Sequence, residues 1–368
     1  MFHKNLLVII FVSLISFGCN SNKEELKIGL IVGSSGKYSS LGISISNGVA
    51  IAFETINYTI NGQTIKLIEK DDQQDKSINT KAINSFKKDN IKIIIGNATS
   101  SMTKVSLNIL SESKDTLLFS PTASSGTFSN LDDNFIRSNS GNTKSTYKNA
   151  ISFIKKNSLK NIVIVGDSNN KLYLNSYTKK FSSFLKEEQI IKDDLQYIDS
   201  NNPLDDIYQE LAKKKQDLII LVSNSVDSAK IIQYLRINNI KSKIMCLGWA
   251  NTDKFFQNVG KNGEGIFFLT TNEMNVQESN KDFMTNYIKK YGTEPDRFAL
   301  KGFITANVII DALKINNDPT KLKETILNKK QFDTAMGKMI FNKYGDVYNN
   351  PKDIFVVKYG KLIKFDNE

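Results

Sequence analysis

The feature that most constrains the fold of this chain is a regular alternation of short apolar segments with longer amphipathic ones. Segments such as residues 93–95 and 218–222 carry consecutive β-branched or aliphatic side chains, which is typical of strands buried on both faces. The segments between them place apolar residues at helical spacing. The alternation therefore predicts an α/β protein, in which parallel strands are joined by right-handed helical crossovers.

The alternation runs through the chain twice, with a break near residue 138. The predicted strands lie at residues 27–34, 65–71, 91–95, 116–120, 161–165, 190–197, 218–222, 244–247, 265–270, 337–341, 354–359 and 362–365. The predicted helices lie at residues 43–56, 76–88, 101–113, 146–156, 173–188, 204–214, 227–238, 280–291, 298–315 and 320–327. Because 368 residues exceed what a single core usually supports, we predict two doubly wound parallel-sheet lobes.

The turn that follows the strand at residues 93–95 is a candidate ligand site. Gly96 ends this strand, and Ser100 and Ser101 stand where the next helix begins. Ligands of open α/β sheets bind at the carboxyl edge of the strands. The first amides of a helix lack intrahelical partners and favour an anion, so a small carboxylate would fit there. The alternative is that Ser100 is only the N-cap of the helix.

The first residues predict export and a lipid anchor. Residues 1–18 carry Lys4 and an apolar run at 6–15 that is too short to span a bilayer, which is typical of a signal peptide. Small residues precede Cys19, and this resembles the lipobox of bacterial lipoproteins, in which the cysteine is lipidated. Residues 19–25 would then tether the protein to the bacterial cell envelope, facing the periplasm or the exterior. An ordinary secretory signal with a chance cysteine is the alternative.

Composition excludes several kinds of chemistry. The only histidine is His3, inside the predicted signal peptide, so the mature chain has no histidine for a catalytic triad or a metal site. With Cys19 lipidated, Cys246 has no partner for a disulfide. The net charge of +11 comes from lysines spread along helices, without the interleaved aromatics of a nucleic-acid groove. We therefore expect no nucleic-acid partner, metal or cofactor.

An ordered set of motifs resembles the type I periplasmic solute-binding proteins, in the branch of the leucine/isoleucine/valine-binding protein. The resemblance extends over roughly residues 26–365. It implies two α/β lobes joined by three crossings, near residues 137–142, 270–273 and 345–351. Lobe 1 would comprise residues 26–138 plus 272–346, and lobe 2 residues 139–271 plus 347–368. The motifs are KIGLIVGSSGKYSSLG at 27–42, KLIEKDDQQD at 66–75, IIIGNATSS at 93–101, LLFSPTASS at 117–125, IVIVGDS at 162–168 and MGKMIFNKYGDV at 336–347.

The resemblance also implies ligand contacts in lobe 1. Ser100 matches the serine that binds the α-carboxylate of the ligand, with Ser101 beside it at the helix start. Thr122 and Ser124 match positions that offer a carbonyl and a hydroxyl to the ammonium and carboxylate. Leu41 matches the position of an aromatic residue on the side wall.

In lobe 2 the resemblance implies a ligand contact at Tyr173. Asn224 falls where amino-acid binders often have a tyrosine, and Gly248 or Trp249 where they often place a carboxylate. Asp167 is the candidate replacement for that acid, because a buried ammonium without an acidic partner is costly. Trp249 is interpreted either as a wall of the ligand site or as a core residue.

The function implied is a lipid-anchored monomer that captures a small ligand, an amino acid or a related carboxylate or amide, and delivers it to an ABC transporter permease. The alternatives are a ligand sensor without transport and a lipoprotein activator of a cell-wall synthase. An enzyme using Asp71 and Asp72 is a further alternative. Adjacent residues of a strand point to opposite faces, which argues against a catalytic pair.

Overall fold

The first half of the chain forms a six-stranded sheet in a computed structural model that describes residues 24–139, 144–213, 215–271, 281–347 and 352–365. The strand order is β2-β3-β1-β4-β5-β6, with β2 antiparallel to β3 and the other pairs parallel. Strands β3 and β4 flank β1 on opposite sides, which creates a crevice at the carboxyl ends of β1 and β4. The strands are β1 Leu26–Val32, β2 Thr59–Ile60, β3 Gln63–Asp71, β4 Ile93–Gly96, β5 Leu117–Ser120 and β6 Phe135–Arg137.

Helices cover both faces of this sheet and complete the first lobe. Helices α1 and α10 share a core with one face, and α2 and α3 share a core with the other. Helix α9, helix α11 and the hairpin β12–β13 pack on the same lobe. The elements are α1 Ser39–Glu54, α2 Lys76–Lys88, α3 Ser100–Leu110, α9 Lys281–Tyr291, α10 Arg297–Ile315, α11 Leu322–Lys329, β12 Gln331–Thr334 and β13 Gly337–Ile340.

Two glycines fix the position of α10. A Cβ atom on Gly48 would lie 1.8 Å from the carbonyl oxygen of Ala299, and one on Gly302 would lie 2.2 Å from that of Ile45. Only glycine permits such a close approach of two helix backbones. The contact holds α10 against α1, so the first turns of α10 lie beside the crevice of the sheet.

The second lobe is built on a seven-stranded sheet with the order β15-β14-β11-β10-β9-β7-β8. Strands β7 to β11 are parallel, and β14 and β15 add antiparallel edges. Strands β8 and β9 flank β7, so the crevice lies at the ends of β7 and β9. The strands are β7 Ile162–Gly166, β8 Tyr197–Asp199, β9 Leu218–Val222, β10 Lys243–Leu247, β11 Phe267–Thr270, β14 Asp353–Lys358 and β15 Lys361–Lys364. The helices are α4 Lys144–Lys156 and α5 Lys171–Glu187 on one face, and α6 Leu204–Ala212, α7 Ser225–Ile237 and α8 Asp253–Val259 on the other.

The order of elements takes the chain between the lobes three times: after β6, after β11 and before β14. The predicted fold class, two doubly wound α/β lobes, is confirmed. Parts of the three predicted crossings lie outside the described residues, as does Cys19 with the predicted signal peptide. The residue boundaries of the lobes stay a proposal. No helix in the described ranges has the length and hydropathy needed to cross a membrane.

Several local predictions differ from the structure, which also contains the unpredicted strands β6 and β12 and the unpredicted helix α8. The strand predicted at residues 190–197 is reduced to β8, which begins at Tyr197, because the charged run at 192–194 is exposed and has no place in a buried sheet. The predictions also omit β2, which forms a hairpin with β3 across the predicted turn at Asn61 and Gly62. Both turn residues have positive φ, 50° and 76°, as a tight hairpin turn requires.

Candidate functional site

The carboxyl ends of the two sheets face each other across a cavity. The cavity has a volume of about 70 Å3 for the centres of water-sized molecules. Six of the predicted site residues line it, namely Leu41, Ser100, Thr122, Ser124, Tyr173 and Trp249. The other lining residues are Ala98, Thr99, Asn139, Asn170, Gly248, Thr271, Arg297, Phe298, Lys301 and Lys352.

The turn from β4 into α3 is held by backbone geometry and buried polar contacts. Gly96 has φ of 138°, and a Cβ atom there would lie 2.1 Å from the carbonyl oxygen of Ile31, so only glycine fits. The buried Asn97 donates from Nδ2 to Asp72 Oδ2 and to Asn79 Oδ1, at 2.7 Å each. These bonds satisfy polar groups inside the core and fix the start of α3 at the cavity.

Thr99, and not Ser100, is the N-cap of α3, because its side chain accepts the amide of Met102. The Ser100 side chain instead accepts the backbone amides of Ser124 and Ser125, at 3.2 and 3.1 Å. The alternative in which Ser100 merely caps the helix is therefore wrong. The two bonds occupy the lone pairs of its hydroxyl oxygen, and the hydroxyl can still act as a donor.

Aromatic rings form one wall of the cavity. The indole of Trp249, in the second lobe, stacks on Tyr38 of the first lobe, with centroids 6.3 Å apart and 11° between planes. It meets Tyr173 edge to face at 6.2 Å. Trp249 packs against the cores of both lobes and also lines the cavity. It is therefore both a core residue and part of the cavity wall. Burial raises the pKa of the Tyr173 phenol against the effect of the Arg297 charge, so its hydroxyl stays protonated and can donate.

A second wall is basic and was not predicted from the sequence. Arg297 and Lys301 lie one turn apart on the same face of α10, and Lys352 precedes β14. Arg297 also reaches the second lobe, where Nη2 donates to Thr271 Oγ1 at 3.1 Å. A signal was present, since Lys301 is the one charged residue between Arg297 and Asp311 in an otherwise apolar helix. Because lysine is rarely buried without a partner, a lysine in such a helix indicates a specific interaction of its charge.

Asp167 and Asn224 do not line the cavity; they bind each other, and Asp167 also binds the opposite lobe. The buried carboxylate of Asp167 accepts a hydrogen bond from Tyr38 Oη at 2.7 Å and one from Asn224 Nδ2 at 3.2 Å. Asn224 caps α7 by accepting the amides of Val226 and Asp227, at 3.0 Å each. Of the two side chains, Asp167 thus makes the contact between the lobes, through Tyr38.

Ser101 also lies outside the cavity lining, in a contact between the lobes. Its backbone amide donates to Asn170 Oδ1 at 3.1 Å, and its hydroxyl accepts the amide of Leu172 at 3.2 Å. On the other side of the cleft, Lys37 Nζ lies 2.7 Å from Asp227 Oδ2. Together these bonds place the two lobes in direct contact, which is a closed arrangement.

Among the described residues there is no group of three or more histidine, cysteine, aspartate or glutamate side chains that would hold a metal ion. Cys246 is fully buried in β10, and burial raises the pKa of its thiol, so it behaves as a core residue.

Comparisons with known proteins agree with this geometry. The "Leu/Ile/Val-binding protein homolog 3" of Brucella melitensis is 20% identical over 370 residues, covering 98% of each chain. The leucine binding protein LivK of Thermotoga maritima has a TM-score of 0.81 at 21% identity, with 93% of this chain and 98% of that chain covered. A solute binding protein of an ABC transporter from R. palustris, solved in complex with benzoate, has a TM-score of 0.79 at 20% identity, with coverage of 92% and 95%. These structures share the fold of this chain.

The family model described as periplasmic binding protein matches residues 25–360, which is nearly the whole described chain. The resemblance indicated by the sequence motifs is confirmed, with two doubly wound lobes and a cavity between their carboxyl ends. The chain therefore belongs to the periplasmic binding protein family, with the type I fold.

Proposed function

We propose that this chain is a lipid-anchored, extracytoplasmic solute-binding protein that captures a small carboxylate between its lobes and delivers it to an ABC importer. The observation that carries the proposal is the cavity at the meeting point of two carboxyl sheet edges. Its lining combines a serine at a helix start, aromatic walls and three cations. Such a set of an apolar wall and a few convergent polar groups suits a small organic anion.

The similar proteins support binding rather than catalysis. One is named for leucine, isoleucine and valine, and another was solved with benzoate, so carboxylates are the shared feature of these ligands. The mature chain has no histidine, and no aspartate or glutamate is among the described residues of the cavity lining. We propose a monomeric binder without catalytic activity, tethered through Cys19, that presents its solute to a permease.

Lobe closure around the solute is the mechanism that the contacts favour. Only the closed state lets Ser100 of the first lobe and Tyr173 of the second lobe line one cavity. A solute that binds both lobes stabilises this state by its difference in affinity for the closed and open forms. Hinge closure of this kind lets a transporter distinguish the loaded protein from the empty one.

A thermal-shift screen over amino acids, amides, aromatic acids and small carboxylates tests the proposal. We expect at least one compound to raise the melting temperature, because a ligand of the native state stabilises it by mass action. The same compound should make the protein more compact in small-angle scattering. Stabilisation without compaction would argue against the two-lobe clamp, and turnover of the compound would argue against a pure binder.

A further inference from the structure

The turn that follows β3 has an unusual backbone. It contains two successive residues with positive φ, Gln73 at 51° and Gln74 at 56°. This conformation is unfavourable for glutamine and persists only where the surrounding structure holds it. The Asp71 carboxylate accepts the backbone amide of Gln73 at 2.9 Å. The Asp72 carboxylate accepts that of Gln74 at the same distance, so the shape of the turn is held by its own side chains.

The side chain of Gln74 crosses from the first lobe to the second. Its Oε1 accepts the hydroxyl of Thr99 at 2.8 Å, and Thr99 both lines the cavity and caps α3. Its Nε2 donates to the backbone carbonyl of Asn169 at 3.2 Å, in the turn between β7 and α5. One amide group thus joins a residue of the cavity wall to the opposite lobe.

The two partners determine the orientation of this amide. A carbonyl oxygen can only accept, so the NH2 group of Gln74 faces Asn169 and the oxygen of Gln74 faces Thr99. The Thr99 hydroxyl therefore donates to Gln74, while its oxygen accepts the amide of Met102. When the lobes separate, the Gln74 amide loses the partner that fixes its orientation. Closure thus fixes the hydroxyl proton of a residue that lines the cavity.

The helix starts that meet at this point explain why such a bond is needed. Helices α3 and α5 begin on opposite sides of the cleft, and each helix start carries partial positive charge. Their approach is compensated where one lobe offers an acceptor to a donor of the other. Asn170 Oδ1 accepts the amide of Ser101 in this way. The carbonyl of Asn169 does the same for the side chain of Gln74.

We propose that Gln74 is a positioning residue for solute capture, which couples the closing of the lobes to the Thr99 hydroxyl at the cavity. The inference rests on the proposed function and adds to it a residue that is not among the described residues lining the cavity. A solute that holds the lobes together keeps the amide clamped and Thr99 oriented. Solute affinity therefore depends on Gln74 through Thr99 and Asn169.

Two variants separate the two ends of the amide. Gln74→Glu keeps an oxygen that accepts the Thr99 hydroxyl but turns a second acceptor towards the Asn169 carbonyl. Gln74→Met has a similar length and removes both bonds. Gln73→Glu is the matched control, because it adds the same charge at an exposed neighbour with the same backbone conformation.

Each purified protein is studied by small-angle scattering without solute and by titration. The probes are leucine and benzoate, together with any further compound that stabilises the protein in the thermal-shift screen. We expect Gln74→Met to weaken binding by about 3- to 10-fold and Gln74→Glu by about 10-fold or more, with Gln73→Glu within about 2-fold of wild type. Both Gln74 variants should also shift the solute-free protein towards the open form.

A double-mutant cycle tests whether the hydroxyl and the amide act as one unit. Thr99→Val removes the hydroxyl at nearly constant volume, and it is combined with Gln74→Met. We expect the affinity loss of the double variant to be smaller than the product of the two single losses, because each change breaks the same bond. Independent losses would overturn the coupling.

The remaining outcomes separate this inference from the proposed function. Unchanged affinity and superimposable scattering for both Gln74 variants would overturn the inference and leave solute binding in place. So would a lower free energy of unfolding with unchanged affinity, since Gln74 would then only stabilise its own turn. An equal loss for Gln73→Glu would assign the effect to charge. If no compound binds, the proposed function fails, and scattering of the solute-free proteins still tests closure by Gln74.

Discussion

The two lobes have the same architecture but use their crevices differently. In the first lobe, the turn after β4 lines the cavity with Thr99 and Ser100. In the second lobe, Asp167 after β7 and Asn224 after β9 are bound to each other and lie outside the lining. The cavity meets this lobe beside its crevice, at Tyr173 and at the turn after β10.

This difference indicates that one crevice serves the solute and the other serves closure. Tyr38 shows the division, because its ring stacks on Trp249 of the cavity wall while its hydroxyl binds Asp167. A polar crevice filled by the opposite lobe stabilises the closed state without touching the solute. Affinity then depends on both crevices, since the binding-competent fraction multiplies the intrinsic affinity.

Asp167→Ala should have the largest effect, a loss of solute affinity of about 100-fold. The change leaves the Tyr38 hydroxyl without its carboxylate acceptor when the lobes close. Titration with the tightest-binding compound of the thermal-shift screen measures the loss, and scattering should show a more open protein. Asp193→Ala, an exposed acid of the same lobe, is the control. Undiminished affinity would mean that this crevice does not govern closure.

Ser100→Ala should weaken solute binding by about 10- to 100-fold, because a hydrogen bond to a carboxylate is lost. Thr99 remains as the N-cap, but the amides of Ser124 and Ser125 lose their acceptor, so the free energy of unfolding should also fall, by about 1–3 kcal/mol. Titration and chemical unfolding give the two values. Ser111→Ala, at the other end of the helix, is the control. A large loss of stability with full affinity would contradict the assignment.

Lys37→Met should weaken binding by only about 2- to 5-fold, because its ion pair with Asp227 is partly exposed. The lysine side chain is 29% exposed and the aspartate 12%, so salt should screen the pair. The difference between wild type and variant should therefore shrink as salt is added. A loss that is independent of salt would show that another property of Lys37 matters.

The smallest expected effect is a pH dependence of folding stability, which arises from a carboxyl group beneath the first crevice. Burial raises the pKa of the Asp72 carboxyl, although Gln74 and Asn97 donate hydrogen bonds to it. A raised pKa means that the folded state binds this proton more readily than the unfolded state. Its contribution to stability is present at low pH and is lost as pH rises through the folded-state pKa.

Asp72→Asn should therefore gain stability relative to wild type as the pH rises from acidic to neutral. Denaturant unfolding at several pH values measures the difference. Parallel profiles for the two proteins would contradict the assignment.

The fold was predictable because strand and helix periodicity is a local property of the sequence. The β4–α3 turn was predictable for the same reason, since Gly96, Thr99 and Ser100 are neighbours in the chain. The sequence marks Lys301 as unusual but does not place it at the cavity, because Arg297 and Lys301 reach the cavity through the packing of α10 on α1 at Gly48 and Gly302. Likewise, the sequence does not reveal that Tyr38 from the other lobe engages Asp167.

Trp249 is the only tryptophan of the chain, and it stands between a tyrosine from each lobe. Its stacking partner Tyr38 moves away if the lobes separate, whereas its edge partner Tyr173 belongs to the same lobe and stays. The protein thus contains an intrinsic optical reporter of its own opening. Indole emission, excited selectively over tyrosine, should follow lobe movement in a stopped-flow experiment without any attached dye.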